Sequence, residues 1–256
     1  MLFSETSFIG IDPSAGVKPF IYAAIDQNRD LIALGQGQID GVLAFAAGQR
    51  QAIVAVCAPR RPNSGIMADE KFRETISPQP QPGRWIDFRL ADYQIWQHNI
   101  RSPQTRHQES SCPNWMQMGF SLYRRLENFG YQTYPQEDAQ CQVMEVYPQA
   151  CFAVLLGLLP FAKHTIEGRL QRQLVLYKSG LNIPDPMRFL KEITRNRLLN
   201  GLLPHGNLYQ SEGLDALVAA YTAWLSKYHP DQITLYGDPD EGQVVIPVAE
   251  LIDKYT

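Results

Sequence analysis

The chain reads as one α/β domain whose sheet begins antiparallel and continues parallel, and three observations predict it. Short apolar runs at residues 8–11, Phe20–Ile25 and 31–34 follow one another closely, with the turn-like "DQNRD" between the last two, so the first three strands form an antiparallel meander. The stretch "AIVAVCAP", residues 52–59, is continuously apolar and stopped by proline, the pattern of a strand buried on both faces in a parallel centre. Beyond it, a long amphipathic pattern from Trp115 precedes another short apolar run.

Taken in order, residues 39–48 read as a helix between the meander and the central strand. Residues 59–110 hold Pro59, Pro62, Pro78, Pro80, Pro82 and Pro103 among many polar side chains. They predict a loop-rich insertion that covers a site. From Trp115, Met118, Leu122 and Leu126 recur at helical spacing and Gly130 stops the helix. "CQVMEVYP", residues 141–148, is a strand closed by proline, and helices are expected over 167–177, 186–199 and 213–225. "ITLYG" and "QVVIPV" then form a strand pair across the acidic turn "GDPDEG". No internal repeat is visible, and the whole of 1–256 is expected to be a single domain.

Composition supports a folded chain: 45% of residues are hydrophobic and 11% aromatic, far from the disordered extreme. No basic and apolar leader opens the sequence and no stretch has 18 uninterrupted apolar residues, which argues against export and membrane insertion. Cys57, Cys112, Cys141 and Cys151 form no CxxC pair, and His98 and His107 ahead of Cys112 make only a weak metal pattern, read as coincidence. A reducing cytoplasm is the expected location, with Cys141 and Cys151 as small buried hydrophobes. No obligatory protein partner can be read from the chain.

The net charge of −3 conceals an asymmetry. Residues 163–197 carry eight Lys or Arg against three acids, whereas residues 198–256 carry two against eight. A basic segment of this kind permits contact with phosphates, although a solvated helix face is its commoner use.

Three carboxylates stand where a core would not choose them. Asp12 ends the first strand, Glu145 lies within an apolar strand on the same face as Val143 and Tyr147, and Asp215 lies in the helix "EGLDALVAAYTAW". Ala219 and Thr222 follow Asp215 at helical spacing, so this face could approach a sheet closely. Each acid alone has a plain explanation: an Asx turn at Asp12-Pro13, an arginine pair for Glu145, a helix N-terminus for Asp215. Together they suggest hard oxygen ligands for Mg²⁺ or Mn²⁺.

The succession "GIDPSAG", "VAVCAPRRPN", "MEVYPQACFAVLLG", "DALVAAYTAW" and "GDPDEGQVVIPV" resembles domain-of-unknown-function family 429, whose members are predicted RNase H-like nucleases, over nearly the whole chain. The resemblance implies an RNase H-like α/β fold, an antiparallel meander continued by parallel strands with helices on both faces. It also implies metal-dependent phosphodiester hydrolysis, with Asp12, Glu145 and Asp215 as catalytic metal ligands. Enzymes of this fold hold two cations about 4 Å apart. The sequence departs from the pattern at Cys57, where the family places an acid before Ala-Pro. The alternative is therefore a nucleic-acid- or phosphate-binding protein that keeps the fold without full catalysis. A phosphotransferase is less favoured, because "DPSAG" is the nearest approach to a glycine-rich phosphate loop. Arg60, Arg61, Lys163, Arg169 and Arg172 are the expected phosphate contacts. Trp85, Tyr93 and Trp96 could stack on bases or be buried against the core.

Overall fold

The computed structural model describes residues 6–14, 19–81 and 83–256. Its centre is one mixed sheet of eight strands: β1 (Ser7–Asp12), β2 (Phe20–Ile25), β3 (Leu31–Gly37), β4 (Ala52–Val56), β5 (Gln132–Thr133), β6 (Cys141–Val146), β7 (Thr234–Asp238) and β8 (Gly242–Ile246). The strand order is β3-β2-β1-β4-β6-β8-β7, with β5 also beside β6. β1, β4, β6 and β8 run parallel, while β2, β3 and β7 pair antiparallel with their neighbours. The meander, the parallel centre and the closing strand pair are thus as expected. Together they make an α/β fold consistent with an RNase H-like arrangement.

Helices cover both faces. On one face lie α1 (Ile39–Ala47) and α4 (Asn114–Asn128), whose buried Val42, Leu43, Leu122 and Leu126 pack on Ile9, Ile11, Val54 and Val56. On the other lie α5 (Pro148–Leu156), α6 (Ile166–Lys178) and α9 (Ser211–Tyr228), packed on Phe8, Ala55, Met144 and Val146. The closest approach is at Gly10. A β-carbon there would fall 1.9 Å from the Ala216 carbonyl oxygen, so glycine lets α9 rest directly on β1. That contact carries Asp215, one residue before Ala216, to the carboxyl end of the strand.

The insertion is more structured than a bare loop. It holds α2 (Glu70–Thr75) and α3 (Leu90–Gln97), and α3 packs on β7. Trp85, Tyr93 and Trp96 are used as core: Trp85 meets the other two edge-on at 5.1 and 5.8 Å, around buried Met67 and Leu90. Two buried carboxylate contacts pin the segment to the sheet, because Glu241 accepts hydrogen bonds from the Ser64 hydroxyl and from the backbone N–H of Leu90.

The helix expected over 186–199 is two, α7 (Met187–Glu192) and α8 (Arg195–Leu199). Between them Ile193 turns extended, and the Thr194 hydroxyl caps the second helix by accepting from Arg197 N–H. Thr194 competes with the helix for backbone hydrogen bonds, which periodicity alone does not reveal.

Candidate functional site

At the carboxyl ends of β1 and β4, a cleft of about 960 Å³ is lined by Asp12, Cys57, Lys163, His164, Glu212 and Asp215 among others. Asp12 closes an Asx turn, its Oδ1 accepting the Ser14 N–H at 2.8 Å. Burial and the adjacent Asp215 charge push its carboxyl up to about 7. Asp215 is 4% exposed, and its own pKa is raised by burial although Lys163 pulls the other way. Lys163 Nζ lies 2.8 Å from Asp215 Oδ2. Two carboxylates and one ammonium therefore share the cleft floor.

Cys57 completes this floor. Its thiol donates to the Asp215 backbone carbonyl at 3.5 Å, and burial, with Asp12 and Asp215 nearby, holds its pKa well above the ordinary thiol value. It remains a neutral side chain.

The third expected acid lies elsewhere. Ile11 pairs with Val56 and Val56 with Glu145, so Glu145 shares a row with Ile11 and the α1/α4 face. Asp12 is one residue further on and faces α9. Glu145 is already satisfied: Arg89 reaches its two oxygens at 2.6 and 2.9 Å, and Arg60 N–H donates at 2.8 Å. Arg89 is itself buried and also bonds Asp92. The expectation of Glu145 as a catalytic metal ligand with Asp12 and Asp215 is corrected accordingly. Among the described residues, no group of three or more His, Cys, Asp or Glu side chains is placed to hold a metal ion.

The donor set nonetheless fits a single hard cation. Two adjacent carboxylates suit Mg²⁺ or Mn²⁺, which commonly bind one or two carboxylates and keep several waters. It does not fit a second, because a thiol is a poor ligand for Mg²⁺ and Glu145 is across the sheet.

Of the expected phosphate contacts, only Lys163 reaches the cleft. Arg60 pairs with Glu127 at 2.8 Å, and Arg61 donates to the Asp240 carbonyl. Arg169 and Arg172 are 7% and 1% exposed, and Arg169 lines a second cavity beside the cleft. Arg169 donates to the carbonyls of Leu208 and Tyr209, and Arg172 to those of Phe161 and Gly168. Such buried donors tie loops to α6.

Sequence reasoning missed His164, whose Nδ1 lies 3.1 Å from Ser211 Oγ, while that hydroxyl donates to Glu212. It also missed Arg101, Trp115 and Tyr147, which line the cleft. "KHT" and "SEG" carry no motif, and only folding brings them together. Of "DPSAG", Ala15 and Gly16 lie outside the described residues. No helix is long and apolar enough to cross a membrane among the described residues.

No curated protein and no solved structure matches the chain. A family model described as a protein of unknown function, DUF429, matches residues 10–241, and the chain belongs to that family.

Proposed function

We propose that the protein is a metal-assisted phosphodiester hydrolase of the RNase H-like kind, acting on nucleic acid in the cytoplasm with one Mg²⁺ or Mn²⁺ ion. The observation that carries this reading is the Asp12–Asp215 pair at the carboxyl end of β1, where burial raises both carboxyls and the Asp215 charge raises Asp12 further. Asp12 and Asp215 would hold the ion, which supplies Lewis-acid polarisation of a phosphoryl oxygen. The chain's own groups do the rest. Asp12, raised to about 7 without a cation, gives up its proton as the ion binds and so serves as a ligand. Lys163, with 40% of its side chain exposed at the mouth, offers its ammonium to a non-bridging oxygen. Trp115 and Tyr147 give the cleft an aromatic wall.

A second reading rests on a specific observation. With Cys57 where an acid would serve and Lys163 already on Asp215, the site could bind a phosphodiester without cutting it. Cleavage of single- and double-stranded DNA and RNA in Mg²⁺ and Mn²⁺, with Asp12→Asn as control, separates the two. Slow cleavage abolished by Asp12→Asn supports hydrolysis. Salt-dependent binding in a filter assay without cleavage supports the second reading, and absence of both removes the pair.

A further inference from the structure

A second cavity of about 740 Å³ adjoins the acid cleft and shares Ser14, His164 and Glu212 with it, so the two form one continuous depression. Resting on the phosphodiester reading, we infer that this cavity is a nucleobase pocket that receives one unstacked base of a single strand whose backbone lies over Asp12 and Asp215.

The walls suit a flat, neutral ligand. Ile21 and Leu34 of the meander line it, as do Leu208 and Tyr209 from the segment before α9. That segment is held in place before any ligand arrives: Arg169 bonds the Leu208 and Tyr209 carbonyls, both at 2.7 Å, and Gln173 accepts from Tyr209 N–H at 2.8 Å. Preorganisation of this kind lowers the ordering cost of binding. It also explains why a basic residue of the 163–197 segment is buried: its charge orders the pocket wall.

Polar atoms await a ligand edge. Ser14 is 8% exposed, yet its Oγ is buried with no hydrogen-bond partner among the described residues, and the residue lines both cavities. A buried hydroxyl left unpaired costs free energy that a base edge would recover. The charges on this wall balance: Arg169 keeps its positive charge while bonding two carbonyls and interacts electrostatically with Glu212. A wall with apolar sides and no net charge to spare suits a neutral base. The volume is that of a small-molecule site, and a base drawn out of its stack is a familiar occupant of such pockets.

The test is to titrate adenosine and cytidine, which carry no phosphate, into the full chain by amide NMR. Binding of a single-stranded oligonucleotide is compared in parallel with that of the same strand made abasic. The expected result is perturbation of residues around Leu34 and Tyr209 by the nucleosides. The abasic strand should bind about tenfold more weakly, as loss of one stacked base would give. Tyr209→Leu, checked for folding by circular dichroism, should remove that difference, and Gln36→Ala at the exposed rim provides a second variant that does not disturb the core. If nucleosides leave this wall unperturbed and both strands bind equally, the base pocket is overturned while the phosphodiester reading stands. If neither strand binds, both are overturned.

Discussion

Lys163 Nζ stands 2.8 Å from Asp215 Oδ2 and also acts electrostatically on Asp12, so this chain provides its own counter-cation to the acid pair. Burial alone would lower the Lys163 pKa, but Asp215 and Asp12 together raise it. A divalent cation must therefore displace an ammonium before it can use both carboxylates.

Replacement of Lys163 by Met should expose that competition. Without metal the variant loses about 1–2 kcal/mol, a figure kept small because the lysine is partly solvated. In Mn²⁺ its Tm should rise more than that of the wild type, and calorimetric titration should give tighter Mn²⁺ binding. Unchanged affinity would show that the ammonium does not occupy the cation's place.

Asp12 makes stability depend on pH with a definite sign. Its carboxyl is raised from 3.8 to about 7 on folding, so between these values the folded state keeps a proton that the unfolded chain releases. Stability therefore falls as pH rises through this window and levels off above it. The total is at most about 4 kcal/mol, reduced by the side's opening to the cleft. Asp12→Asn should flatten the fall and leave the variant more stable than the wild type at pH 8, as measured by urea unfolding from pH 4.5 to 8.

Much of this architecture was legible in the residues. The meander, the doubly buried run 52–59 and the small residues beside Asp215 each follow from local pattern, and Gly10 shows why those small residues are there. Register was not legible. Alternation correctly put Glu145 with Val143, but only the pairing of Ile11 with Val56 and of Val56 with Glu145 shows that this face is opposite to Asp12. Nor could charge alone distinguish Lys163, which enters the cleft, from Arg169 and Arg172, which end on backbone carbonyls. That distinction depends on which loops pack beside α6.

Glu145→Gln tests the reassigned acid. Arg89, 1% exposed, would keep Asp92 but lose its bidentate partner, and breaking a buried pair of this type costs about 3–5 kcal/mol. The variant should melt at a lower temperature yet bind Mn²⁺ as the wild type does. A metal ligand would show the reverse pattern, with affinity lost and stability little changed.

Cys57 decides how much chemistry the cleft can perform. Its thiol lies beside Asp12 and Asp215, is neutral, and donates to a carbonyl, so it adds neither charge nor a hard oxygen to the floor. Wild-type cleavage in Mg²⁺ should accordingly be low or absent. Cys57→Asp places a third carboxylate on the face that Asp12 occupies, where Glu145 cannot reach. In the apo state the added charge should destabilise the fold and raise the neighbouring carboxyl pKa values further, because three acids would then share one ammonium. Divalent cations should reverse that loss, so the Tm rise in Mn²⁺ should exceed that of the wild type, and turnover on single- or double-stranded substrates should increase. The double variant Cys57→Asp/Lys163→Met should bind metal tighter still, since it gains a ligand and loses a competitor. Robust cleavage by the wild type that Asp12→Asn abolishes would instead mean that two carboxylates and a lysine suffice, and that the thiol is no impediment.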